Sequence, residues 1–166
     1  MFGYQSFTLS NEGAGVELTD LALAILHHLA VFLLAGMLAA ELALVRPGLA
    51  GGNLALVGRL DAAYGSLAGL IVLIGAGRVI FGLKGWEYYV YYWAFWAKMA
   101  AFVGVGLLSL QPTARIQRWR KQAAGAADYV VPDAEVIALR RFMRAEAVVL
   151  ALVLVFAAVM ARGIAY

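Results

Sequence analysis

Residues 21–45 read L-A-L-A-I-L-H-H-L-A-V-F-L-L-A-G-M-L-A-A-E-L-A-L-V, and R-P-G follows at 46–48. A bilayer core about 30 Å thick takes ~20 mostly apolar helical residues to cross, so this stretch calls for lipid as its solvent. Pro47 disfavours helix at the residue before it and Gly48 loosens the turn, which predicts the end of a first span here. Working outward, three more apolar runs qualify: 62–82, 93–110 ahead of Pro112, and 140–161. The last starts with Arg140, Arg141 and Arg144 reaching for the membrane surface. No ten-residue segment alternates with period two, which argues against a lipid-facing β-barrel. The pattern predicts an all-α integral membrane four-helix bundle, a single transmembrane domain over 1–166 with loops 46–61 and 111–139 on one side.

Composition agrees. Of 166 residues, 64% are hydrophobic and 14% charged, and mean hydropathy is +0.85, whereas soluble domains are roughly 45–50% apolar and about 25% charged. Disorder, a collagen repeat and a disulfide-stapled secreted fold are excluded by the same figures. The absence of Cys removes thiolate metal sites, iron–sulfur clusters and cysteine nucleophiles. Nine of the thirteen Lys and Arg residues lie in the two loops (Arg46, Arg59, Arg115, Arg118, Arg120 and Lys121) or at the adjoining start of the last span (Arg140, Arg141 and Arg144). The positive-inside rule then places those loops in the cytoplasm and both termini outside, in the periplasm for a multi-pass protein of a bacterial inner membrane. No basic residue precedes the first span, so it is expected to be retained rather than cleaved as a signal peptide. The excess charge of +3 is thereby a matter of topology and lipid headgroups, not of nucleic acid. W-E-Y-Y-V-Y-Y-W-A-F-W at 86–96 reads as an aromatic belt at the outer boundary between spans two and three.

Ionisable groups inside a span are costly and are functional hypotheses by default. At 1.5 Å per residue, His27 and His28 lie roughly 9–10 Å inside the outer end of span one, Lys98 ~8 Å inside span three and Arg78 ~6 Å inside span two. Met99 shares this depth and Met160 approaches it. No acidic residue lies in the spans at this level, so the cluster calls for an anionic ligand, neutral imidazoles or water. Adjacent histidines point about 100° apart, so only one can be an axial ligand of a given iron. Two stripes on span one compete to face the bundle: His27, Leu34 and Glu41, or His28, Phe32, Ala35 and Ala39. A second layer of Glu41, Arg59, Asp61, Arg140, Arg141, Arg144 and Glu146 pairs acids with bases and is expected to form salt bridges at the cytoplasmic ends; the alternative is a proton route, with Glu41 its deepest member.

The stretches L-H-H-L-A-V-F-L-L-A-G-M (26–37), R-L-D-A-A-Y (59–64), W-A-K-M (96–99) and R-R-F-M-R-A-E (140–146) resemble HemJ-type protoporphyrinogen oxidases. They look closer still to a family of predicted bacterial four-helix membrane proteins that shares that layout. The resemblance implies a four-helix membrane protein binding haem b, with a span-one histidine as iron ligand and a span-three lysine, here Lys98, as the catalytic or haem-contacting residue. The chain departs from that pattern where span three lacks further histidines, reading F-W-A-K and L-S-L-Q-P. Haem binding is therefore matched better than protoporphyrinogen oxidation.

The combined expectation is a membrane-embedded b-type haem protein with a redox role, one haem b per subunit. His27 or His28 binds the metal, and Arg78, Lys98 and Met99 complete the cofactor site. Quinone or porphyrin is the expected small-molecule partner, alongside membrane lipid and a second copy of the chain. The alternatives are a non-enzymatic module, such as a small transporter or channel subunit or a structural partner, and a copper-handling protein using a histidine and Met99.

Overall fold

A computed structural model describes residues 3–83, 85–126 and 128–164, with side chains from residue 15 onward. The described residues form helices α1 (Gly3–Leu44), α2 (Gly51–Phe81), α3 (Gly85–Val90), α4 (Trp93–Gly125) and α5 (Asp133–Ala161). Four segments are long and apolar enough to cross a membrane: Gly15–Leu44, Gly51–Phe81, Trp93–Gly125 and Asp133–Ala161. Their 29–33 residues correspond to about 45–50 Å of helix, more than the hydrocarbon thickness, so their ends project into the headgroup region. α1 packs chiefly on α2 and α4 on α5, while α2–α4 contacts join the two pairs.

The helices outrun the apolar stretches that signal them. α2 begins at Gly51 and carries Arg59 and Asp61 within it. α4 continues through Pro112 to Gly125, and α5 starts at Asp133 immediately after Pro132. A polar helix end satisfies its backbone internally as well as an apolar one does, so hydropathy marks the lipid-immersed part and not the helix boundary. Pro112 is buried within the helix; a proline is tolerated in a membrane helix where neighbouring segments can serve the freed backbone carbonyl. The connections shrink to residues 45–50 and 126–132.

These two connections are tied to each other. Val131 N–H donates to the Leu49 carbonyl (2.9 Å), Ala50 and Val130 form an isolated antiparallel bridge, and Gly48 N–H donates to Asp133 Oδ1 (3.2 Å). Gly48 holds φ +81°, the left-handed region that a side chain resists. Arg140 donates to the carbonyls of Leu42 (2.7 Å) and Val45, closing the C-terminus of α1, where helical carbonyls lack partners. Trp119, fully buried, donates to Glu135 Oε2 (2.7 Å), and Arg118 pairs with the same carboxylate.

The opposite end is organised by the aromatic segment. α3 and the turn after it send Tyr88 to the Met160 carbonyl (3.0 Å), and Tyr92 to the carbonyls of Val159 (3.1 Å) and Ile164 (2.6 Å), sealing the C-terminus of α5. Trp96 Nε1 donates to the Val90 carbonyl (2.9 Å). Tyr89 and Tyr92 are buried, whereas Trp86, Tyr91, Trp93 and Trp96 are exposed. Only the second set is disposed as a membrane-interface belt; the first packs the end of the bundle. Gly82 is required sterically, because a Cβ there would meet the Arg78 carbonyl and Asp20 Oδ1.

Tyr92→Phe removes a donor shared by two helix-terminal carbonyls and is expected to destabilise the bundle by about 1–3 kcal/mol. A lowered Tm in detergent reports it, with the exposed Tyr91→Phe unchanged as control. Because the chain has no Cys, single-cysteine variants report topology directly. Glu87→Cys and Asp128→Cys, both exposed, are expected to react with a membrane-impermeant maleimide from opposite faces of sealed vesicles.

Candidate functional site

The buried face of α1 runs Ala30, Leu34, Leu38, Glu41 and Val45, a three- and four-residue periodicity that one helical face requires. His27 precedes Ala30 by three residues and falls on this face, half-buried. The stripe of His27, Leu34 and Glu41 is thus the one turned to the bundle. His28 is exposed, and its Nδ1–H donates to the Ala24 carbonyl one turn back (2.6 Å). Phe32, on the His28 stripe, is 67% exposed and faces outward.

His27 borders a cavity of about 370 Å³, with Arg78 and Gly75 from α2, Tyr89 from α3, Lys98 and Met99 from α4, and Met160 from α5. The remaining wall is apolar, including Val31, Leu34, Ile71, Phe95, Phe102 and Leu150. A cavity of this size with an apolar lining and a few convergent polar groups has the form of a small-molecule site. The His27 ring lies over Gly75: a Cβ there would stand 3.5 Å from its Cε1. A second cavity of about 210 Å³ adjoins it, sharing His27, Arg78, Tyr89, Lys98 and Met160 and adding Asp20, His28 and Tyr88.

The polar atoms here are incompletely served. His27 Nδ1 and Arg78 Nε are buried without a hydrogen-bond partner among the described residues, a state that costs the desolvation of each group. Lys98 Nζ stands 5.6 Å from the Phe95 ring centroid, within reach of a cation–π attraction. The Tyr89 phenol is pushed above its ordinary pKa by burial, with Arg78 opposing, so it stays a neutral donor at neutral pH.

Sequence depth therefore grouped His27, Arg78, Lys98, Met99 and Met160, which line one cavity, while His28 lines only the adjoining one. It also left the cluster without an acid. Helix α1 extends far enough to bring Asp20 to the second cavity, which Arg78 also lines. Gly75, one of the span-two glycines that offer a close approach, lies at the cavity beneath His27, whereas Tyr89 and Phe95 were missed as site residues. Tyr89 is hidden among neighbouring aromatic residues, and only the turn of α3 selects it. The second correction concerns the inner layer. Arg59, Arg141 and Arg144 point outward, exposed, while Glu41, Asp61 and Glu146 are buried. The ion pair found among the described residues is Arg118–Glu135, so the expected inner salt bridges do not form.

No curated protein and no solved structure matches the chain. Residues 19–165 match the family described as "Predicted membrane protein (DUF2214)", a match that takes in all four membrane-capable helices save the start of the first. The residues that line the two cavities all lie within that segment, and the chain belongs to the DUF2214 family of predicted membrane proteins.

Proposed function

We propose that this protein is a membrane-embedded b-type haem protein with a redox role, its haem held in the larger cavity. The observation that carries the reading is the convergence of one imidazole and two cations from three helices on an otherwise apolar space. The donor set fits the group. A buried imidazole nitrogen without a partner would suit a bond to iron, and an apolar wall would suit a porphyrin. Arg78 and Lys98 suit the two propionate carboxylates that an apolar pocket cannot solvate.

In this reading His27 holds the iron and His28, turned outward and bonded to its own helix, does not. Gly75 leaves room for the His27 ring. Met99 and Met160 offer thioethers in the same space. Tyr89, neutral and buried, and Asp20 at the rim supply a proton donor and acceptor at the mouth. The bound haem supplies one-electron chemistry; the chain's residues bind it, exclude water and hold its carboxylates. Protoporphyrinogen oxidation, by the HemJ resemblance, and quinone-linked electron transfer are the two activities that suit such a site. The distribution of Lys and Arg supports an inner-membrane location with the cavity on the periplasmic side.

Absorption spectroscopy of the gently purified chain, alone and titrated with haem, tests the proposal. A Soret band is expected, lost or reshaped in His27→Ala and kept in His28→Ala. Arg78→Ala and Lys98→Ala each remove a charge-assisted contact of about 1.5–3 kcal/mol, which corresponds to haem affinity weakened roughly tenfold or more. No Soret band with or without added haem ends the reading; solute flux in liposomes, lost in Lys98→Ala, would then identify a transport module.

A further inference from the structure

At the other end of the bundle core, polar groups that play no part in the outer cavity converge from all four long helices. Glu41 of α1 is 2% exposed and Glu146 of α5 is 1% exposed, with Asp61 and Tyr64 of α2 buried beside them. Thr113 of α4 donates to Asp61 Oδ1 (2.7 Å). Glu41 and Glu146 each keep one carboxyl oxygen sealed from solvent and without a partner among the described residues. Tyr64, independently of the acids, is 5% exposed. Its hydroxyl is turned toward the Glu146 carboxyl, with Glu41 also near, without completing a hydrogen bond of good geometry.

The surrounding bases do not answer these carboxyls. Arg140 is spent on the α1 carbonyls. Arg115 lies over the Phe142 ring, and Arg59, Arg141 and Arg144 are exposed. Arg120 of α4 crosses Gly58, where a Cβ would strike its side chain, and reaches the field of Asp61 alone. Like charges in a core of low dielectric repel strongly, and each of these carboxyls lies in the field of its acidic neighbours. A proton taken up by one of these carboxyls removes that repulsion and supplies the missing donor.

We propose that Glu41, Tyr64 and Glu146 form a proton-binding site in the bundle core, loaded through Asp61 from the end where the 45–50 and 126–132 connections meet. The bound proton forms an O–H bond to one carboxyl oxygen and is accepted by a facing oxygen; Tyr64 donates to the carboxyl that remains charged. Asp61 with Thr113 and Arg120 forms the polar step between this site and the helix ends. A metal ion is the weaker occupant, because no group of three His, Asp or Glu poised to hold one occurs among the described residues. The proposal stands apart from the ligand of the outer cavity.

The test is infrared difference spectroscopy of the full chain in phospholipid vesicles, titrated across neutral pH in potassium chloride. A protonated-carboxyl C=O band is expected, shifting in deuterium oxide, losing intensity in Glu41→Gln and in Glu146→Gln, and shifting in frequency in Tyr64→Phe. Glu135→Gln, outside the cluster, is expected to leave the band unchanged. The amide I band of the same spectra reports helix content, so any one of the three cluster variants that folds suffices. Absence of a carboxylic-acid band in the wild-type chain, or a band indifferent to every cluster substitution, overturns the proposal. So does a band abolished at constant pH when sodium replaces potassium, which would mark a cation site.

Discussion

Every backbone N–H and C=O in the hydrocarbon must find a partner within the protein, and the architecture follows from that requirement. Four helices meet it along their lengths and fail to meet it at their ends. The structure closes two of those ends with side chains from a neighbouring segment. Arg140 of α5 takes the last carbonyls of α1, and Tyr88 and Tyr92 take those of α5. In a bilayer, where lipid is as apolar as leucine, such polar contacts and close packing hold helices together. The pairing of α1 with α5 at one end, and of α5 with the aromatic segment at the other, thus fixes the frame.

Within that frame the polar interior is divided by sign. One end holds His27, Arg78 and Lys98, with Asp20 lining the adjoining cavity; the other end holds Glu41, Asp61 and Glu146. Leu34, Ile71 and Leu150, all buried, separate them and form part of the outer cavity's wall. His27 and Glu41 sit fourteen residues apart on one face of α1, about 21 Å along the axis. The cationic site thereby has an apolar floor that favours a ligand with an apolar body, and the acidic site is reached from its own end.

Some of this was legible in the residues and some was not, for identifiable reasons. Depth along a helix is linear in sequence, so His27, Arg78, Lys98 and Met99 could be placed at one level before any packing was known. Rotation is also encoded, but two stripes on α1 satisfied the same periodicity, and only the burial of Leu34 and exposure of Phe32 decide between them. Helix length escaped a reading based on hydropathy, because Arg59, Asp61 and Pro112 resemble loop residues yet lie in helices whose ends stand outside the apolar layer. The same omission hid Asp20, which a longer α1 carries to the cavity rim.

The sequence by itself determined the solvent, the number of crossings and the levels at which charge is buried, since each depends on composition over a segment and on a constant rise per residue. Tertiary structure alone decided which groups meet. Arg140, which the sequence level set beside acids, turns instead to the Leu42 and Val45 carbonyls, which the end of a helix leaves without partners. That choice leaves Glu41 and Glu146 facing Tyr64 without a base, and leaves His27, Arg78 and Lys98 facing a common space. Neither arrangement could be read from spacing, because each rests on how four helices rotate against one another.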